Sequence, residues 1–558
     1  MSECYDIWVK KESLVIFILL LFIIPAIYNL FLPGAYTSHD LTHHIVRQIA
    51  MDKLLSEGQF PPRWVDYLFF GYGYPLFIFN YPSPSLIGEI FYKIGFNFVD
   101  SVKAVFVSSV ILSAIGMYLF LRNFTDKLSS FLGSIFFIYA PIRFINIYVS
   151  AAVGSALALA FVPFIFYSIK KISDSKSLIY ILIGSLSLDL LILSHNVTAV
   201  IFAFPIATFA LLQIYFSKEK LKVFKRLAVM ATLGLSLSAF FWLPSIIEKQ
   251  YIRYDQLLGG FYQNHFVTFY QLIRSPWGYG TSNPGEADGM SFQIGLIHIL
   301  IMLLALPLFY LYRKDRIFFR LLSFAIGFFI LSVFLTQSQS LLLWENLPFL
   351  SYVQFPFRFL SLSIFCASIV TALFLQRIKY QKVIFILMLF LVIYANRNHW
   401  NINEQVRHGD DYYKSLTGST ASFDEHLPIW VLEVPKQTNQ KIEILEGEGD
   451  INILENTSIK TVANINSKSP LRIQINQFYF PGATLTINNE AKNIETDKLN
   501  KYGLIETTLN PGTNNLVFQF KDTFVRSLSN TISLGGFIIW LGILVLATFK
   551  LPNKFLNN

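Results

Sequence analysis

The sequence predicts an α-helical polytopic membrane protein of about twelve spans, with a β-sandwich domain placed just before the last span. Three observations predict it. Of 558 residues, 54% are hydrophobic, 16% aromatic and only 14% charged, a composition that soluble chains of this size do not have. Long apolar runs recur along the chain, and the connections between them alternate between basic and almost cation-free. One segment, 397–531, departs from the rest in being rich in Asn, Thr, Glu and Lys.

Runs long enough to cross a hydrocarbon core of about 30 Å fall at 13–32, 101–121, 129–148, 151–169, 178–194 and 197–215, then at 226–244, 292–311, 318–335, 358–376, 382–396 and 532–549. The first is followed by Leu32-Pro33-Gly34 with no small-x-small cleavage signal, so it reads as a retained span and not a signal peptide. Every second connection is basic: Lys10/Lys11, Arg122/Lys127, Lys170/Lys171/Lys176, Lys218 through Arg226, Arg313 through Arg320, Arg377/Lys379/Lys382 and Lys550/Lys554. The positive-inside rule therefore puts both termini in the cytoplasm and the chain in the cytoplasmic membrane. It leaves three substantial segments outside: 33–100, 245–291 and 397–531.

The expected organisation is a transmembrane module at 1–396, an extracytoplasmic β-rich domain at 397–531, and a last helix with cytoplasmic tail at 532–558. The net charge of +9 is thus an orientation signal, and nucleic acid is not an expected partner. Two cysteines, Cys4 and Cys366, make no disulfide framework. The short basic loops hold no glycine-rich phosphate cradle, which argues against nucleotide chemistry inside the cell.

Within 397–531, alternating runs such as Leu471-Arg472-Ile473-Gln474-Ile475 and Leu516-Val517-Phe518-Gln519-Phe520 are strands with one buried face. Turn signals at Gly447-Glu448-Gly449-Asp450, Pro481-Gly482, Asn488-Asn489 and Asn510-Pro511-Gly512 separate them at sandwich spacing.

Candidate chemistry gathers outside. His39-Asp40-Leu41-Thr42-His43-His44 follows the first span, and with Ser38 as N-cap a helix would put His39 with His43 and Asp40 with His44 on shared faces. Asp40 suits a general base, and Asp40 with His44 or His43 suits a divalent-metal site that holds a phosphate leaving group; a capped, solvated interfacial helix is the other reading. Arg63 and the run Phe69 to Pro82, with Tyr72 and Tyr74, fit an interfacial segment whose rings line a groove for sugar or lipid, or form a plain aromatic belt.

His195, beside Asn196 in a very short outer connection above Asp189, is a second site candidate or a satisfied structural histidine. Arg358 and Arg143 suit a lipid phosphate or an interfacial anchor. Asp424-Glu425-His426 reads as a solvated turn.

The strings His39-Asp40 with His43/His44, Phe60-Pro61-Pro62-Arg63-Trp64, Gly71-Tyr72-Gly73-Tyr74-Pro75, Ser194-His195-Asn196-Val197-Thr198 and Phe355-Pro356-Phe357-Arg358-Phe359-Leu360 resemble a prokaryotic membrane-protein family labelled 6-pyruvoyl-tetrahydropterin synthase-related. That family looks like part of the GT-C set of multi-span glycosyltransferases, which take sugars from polyprenyl-phosphate carriers and use an acid in the first outer loop. Asp40 holds the matching place, although it is flanked by His39 and Leu41 and not by a second acid. The pterin label itself implies no pterin chemistry.

The resemblance implies transfer of a sugar from a polyprenyl-phosphate donor to an extracytoplasmic glycan, lipid or protein acceptor. Asp40 would be the base, His44 or His195 would orient the acceptor, and Arg63, Arg143 or Arg358 would neutralise phosphate, with His39, His43, Tyr72, Tyr74 and Asn196 lining the substrate. A transporter or flippase for lipid-linked glycans would share the aromatic groove, but transporters place polar residues at the bilayer midplane on broken helices. A non-catalytic cell-envelope assembly protein is the third reading.

Overall fold

A computed structural model describes residues 2–549 apart from 286, 422, 438 and 439; Lys550 and Lys554 of the predicted tail, and the side chains of Cys4, Lys10 and Lys11, lie outside the described residues. The chain is mostly helical. Among the described residues, seven helices are long and apolar enough to cross a membrane: Glu12–Phe31, Phe98–Leu121, Val153–Asp174, Asn196–Phe216, Arg316–Leu335, Pro356–Arg377 and Phe524–Thr548. Pro356–Arg377 is the inner helix of the bundle and Phe524–Thr548 the outer one, with 94% and 6% of their apolar windows buried.

Two of the expected spans are bent instead of straight. Lys127–Ile138 turns by 50° into Pro141–Val149, and Lys220–Leu237 turns by 70° into Ala239–Tyr251. The first bend is local chemistry: Ala140 precedes a proline, which forces it into the extended region (ψ 139°), and the helix restarts with Pro141 in its first turn. Three further apolar helices, Ile179–Ser194, Leu296–Leu311 and Gln381–Asn396, are shorter.

The first loop and the carboxyl-terminal segment are joined. Strand β1 (Ala35–Tyr36) pairs antiparallel with β2 (Gln405–Val406). The carboxyl-terminal segment then folds as two antiparallel sheets. One holds β4 (Gly449–Thr457), β5 (Lys460–Ser467), β10 (Gly512–Phe520), β7 (Ala483–Ile487) and β8 (Glu490–Lys492) in that order; the other holds β3 (Ile442–Glu446), β6 (Leu471–Phe478) and β9 (Leu504–Leu509). Alternate residues of β10, Leu516 and Phe518, meet Ile465, Ile473 and Leu485 in a core between the sheets, as period-two patterning requires.

This β-region rests on the first loop. Trp64, Phe69, Tyr72, Tyr74 and Phe77 are buried with Phe478, Phe480 and Phe520; Trp64 stacks on Phe520 at 4.4 Å between ring centres and Tyr72 on Phe478 at 5.5 Å. The expectation that these rings face a groove or the headgroups is corrected, because the aromatic stretch is the floor on which the strands sit. The last helix is fixed to the same floor. Arg526 Nε donates to Glu248 at 2.9 Å with both side chains buried, and Arg526 Nη2 donates to the Pro481 carbonyl at 2.9 Å.

Candidate functional site

Asp40 stands at the head of the helix Leu41–Ser56, where its backbone (φ −121°, ψ −3°) is not yet helical. Its N–H donates to the Ser150 carbonyl at 3.0 Å, and its carbonyl accepts the His44 N–H at 3.0 Å. The His39 N–H donates to the Val149 carbonyl at 3.1 Å, and His39 Nε2 lies 3.0 Å from the Gly280 carbonyl. The helix therefore starts later than a Ser38 cap predicts, although Ser38 Oγ does accept the Leu41 N–H at 3.4 Å.

Two expectations are corrected by that start. His39 is off the helix and links the first loop to the second instead of sharing a face with His43. The imidazole that feels Asp40 is His43 and not His44. Burial and then Arg47 lower the proton affinity of His43, opposed by Asp40 and Glu425. His44 turns inward, where burial first, then Arg47, His43 and His195, hold its pKa well below that of a free imidazole.

His195 caps the neighbouring span from the same end. Its Nδ1 accepts the Thr198 N–H at 3.1 Å, which leaves the proton of the neutral ring on Nε2. Burial, then Arg358, keeps that ring from protonating at ordinary pH. Tyr81 packs edge-on against His195 at 5.2 Å and feels Arg47, Asp40 and Arg358 together. Arg358 Nη1 donates to the Val353 carbonyl and to Gln354 Oε1, each at 2.9 Å, and the guanidinium faces Tyr254, Tyr81 and Asp40. Between His195 and Arg358 lies a cavity of about 20 Å³, lined also by Asn146 and Ser155. That is room for a single water.

Arg47 lies one turn beyond His43. Its Nη2 donates to the Thr420 carbonyl, and its Nε is buried without a partner. Thr420 Oγ1 shares a hydrogen bond of 2.5 Å with the Tyr74 hydroxyl. The strip that carries Thr420 is stitched to both loops: the Phe70 N–H donates to Thr417 at 2.8 Å, the Arg253 N–H to Leu427 at 3.1 Å, and the Ile429 N–H to Tyr251 at 3.1 Å. Asp424-Glu425-His426 is thereby no free solvated turn. His426 is buried against Phe79, rings 5.9 Å apart and Nδ1 without a partner, while Glu425 acts on His43, Tyr74 and Tyr254.

Asp40, His43, Arg47, Tyr81, Tyr254, Arg358 and Glu425 are all partly exposed and lie within electrostatic reach of one another as one cluster. Arg47 and Tyr254 join the site without having been singled out from the sequence, Tyr81 enters from the aromatic run, and Glu425 from what read as a solvated turn. Of the first two, Arg47 alone had a local signal, being four residues after His43 on a helix.

The remaining candidates lie elsewhere. Arg63 is buried, donating to the Phe240 carbonyl at 3.0 Å and Asn530 Oδ1 at 2.7 Å, where it holds the last helix. Arg143 is buried with Nη2 on Ser113 Oγ at 2.8 Å and its other nitrogens unpartnered. Tyr72 sits under the β-region, Asp189 is buried in Ile179–Ser194 with Oδ1 unpartnered, and Asn196 is exposed at the start of its helix. Asp40 and His44, the pair offered to a divalent ion, diverge, and among the described residues no three His, Cys, Asp or Glu side chains converge to hold one. Among the described residues, this pair does not fit a metal.

Fold and site together define a multi-pass membrane protein with an acid and two guanidinium groups clustered at one end of its helical bundle. The chain belongs to the membrane-protein family described as 6-pyruvoyl-tetrahydropterin synthase related domain, which matches residues 94–403. His195 and Arg358 lie inside that stretch, and Asp40 and the β-region outside it. A protein of Lactococcus lactis subsp. cremoris (strain MG1363), whose description names no activity, is 24% identical over 245 residues, covering 42% of this chain and 40% of the relative's length. The apo oligosaccharyltransferase of Archaeoglobus fulgidus is a distant structural neighbour, with a TM-score of 0.37 and 12% identity over 74% of this chain and 60% of that one.

Proposed function

We propose that the chain is a GT-C-type glycosyltransferase of the cytoplasmic membrane, moving a sugar from a polyprenyl-phosphate donor to an acceptor hydroxyl on the extracytoplasmic side. The observation that carries this reading is that one carboxylate, Asp40, and the guanidinium groups of Arg47 and Arg358 all lie within electrostatic reach of Tyr81. Displacement at an anomeric carbon needs a base on one side and an anion site on the other.

Asp40 accepts the proton of the acceptor hydroxyl as its oxygen bonds to the anomeric carbon. The bond from that carbon to the phosphate oxygen breaks, and its electron pair leaves with the phosphate. Arg358, whose Nη1 is anchored on backbone, and Arg47, with a spare Nε–H, balance the charge that grows there. Attack opposite to departure inverts the anomeric centre. His195 presents its Nε2 proton to orient the bound group. The β-region covers the first loop and meets the acceptor, and both termini face the cytoplasm.

The test is transfer of radiolabelled sugar from a panel of polyprenyl-phosphate sugars in membranes that hold the wild type or Asp40→Asn at matched levels. The expected outcome is label in acceptor with the wild type and loss of about 10²–10⁴-fold in the variant, the range for removing a general base. Equal transfer by both forms would sink the assignment of Asp40.

A further inference from the structure

At the other end of the bundle, a second feature has no part in this chemistry. The helix Asn196–Phe216 leads away from His195, and Arg316–Leu335 runs back to Thr336, whose carbonyl accepts the Val267 N–H from the second loop. Between them lies a gully of about 370 Å³, walled on one side by Phe204, Thr208, Leu212 and Phe216, each four residues from the next, and on the other by Arg320 through Leu331. Phe204 meets Phe328 at 5.4 Å, and Phe209 meets Phe324 at 5.6 Å. A polar mouth of about 200 Å³, with Lys170, Ser173, Asp174 and Gln213, shares Arg320 and Phe216 with it.

Three properties specify what fills it. The stretch from Arg320 to Leu331 rises about 16 Å along a helix, close to the roughly 15 Å of hydrocarbon in one leaflet. The gully is open at Gly327, where an added Cβ would meet nothing within 4 Å. At the mouth, Lys170 is neutralised by Asp174 at 2.6 Å, whereas Arg320 lies 3.1 Å over the Phe216 ring and has no acidic partner among the described residues. The loops beside it, Lys218 through Arg226 and Arg313 through Arg320, add further cations.

We propose that this gully holds one anionic phospholipid, its acyl chain along Thr208, Leu212, Gly327 and Phe328 and its headgroup phosphate on Arg320. The length favours a single-leaflet chain over a polyprenyl tail, and the net charge at the mouth disfavours a cationic headgroup. The site is independent of the transfer reaction proposed for Asp40.

The experiment is native mass spectrometry of the delipidated full chain in detergent, titrated with phosphatidylglycerol, with phosphatidylcholine of the same acyl chains, and with a polyprenyl phosphate. One phosphatidylglycerol should bind at least about fivefold more tightly than phosphatidylcholine, the worth of one basic residue at a lipid surface. Arg320→Gln should erase that preference. Gly327→Leu, which extends into open space, should weaken both phospholipids while leaving the melting temperature unchanged. Equal binding of the two phospholipids, an unchanged preference in Arg320→Gln, or tighter binding of the polyprenyl phosphate would overturn the proposal.

Discussion

One position along a helix decides which ring meets a carboxylate. Because Asp40 precedes the first helical residue, His43 shares its electrostatic neighbourhood, and His44 faces the interior with His195 behind it. A neutral His44 has a consequence for stability. Free histidine titrates near 6.5, and the folded ring resists protonation, so below about pH 6.5 the unfolded chain takes up the proton first. The stability this ring contributes is complete above that pH and is lost as pH falls toward the folded value, at up to about 1.4 kcal/mol per pH unit. Thermal unfolding in detergent at pH 7.5, 6.5 and 5.5 should show a falling midpoint, with a shallower fall in His44→Gln. Identical slopes would show that His44 is not the group responsible. Spacing placed Asp40 and the histidines in one turn but paired Asp40 with His44, where the structure couples it to His43. Glu425 and Tyr254 were not legible as its neighbours, since nothing local ties residues hundreds of positions away to that turn.

Helices and strands were the legible elements, because hydropathy and period-two alternation are local signals. The bends at Tyr139–Ala140 and Ser238 were hidden within continuous apolar runs. The aromatic stretch around Trp64 and Tyr72 was misread for a related reason: composition tells that a ring seeks apolar cover, not whether lipid or protein supplies it. Arg63, named for a phosphate, is instead part of the lock on the last helix with Asp522, Glu248 and Arg526. Removing one partner of the buried Glu248–Arg526 pair leaves an uncompensated charge, so Arg526→Ala should cost about 3–5 kcal/mol. Limited proteolysis should then cut between β10 and the last helix faster than in the wild type. An unchanged cleavage rate would mean that the pair is not holding the helix.

The whole molecule divides its labour between two ends: acid, guanidinium groups and β-region at one, basic loops and the lipid gully at the other. Charge alternation predicts which end faces the cytoplasm. A membrane-impermeant maleimide applied to intact cells should label Lys468→Cys in the β-region, and should reach Lys218→Cys only after permeabilisation. The reverse pattern would invert the assigned topology. The stitched strip from Thr417 to Ile429 also bears on how the protein is made. Arg47 and the carbonyl it donates to are 373 residues apart. At about 5–20 residues per second, a ribosome works for roughly 20–75 s after inserting Arg47 before Thr420 exists. Until then Arg47 and Tyr74 lack their shared partner. The cluster around Arg47 is therefore completed late in translation, and a chain that ends before Thr420 lacks the partner that Arg47 and Tyr74 share.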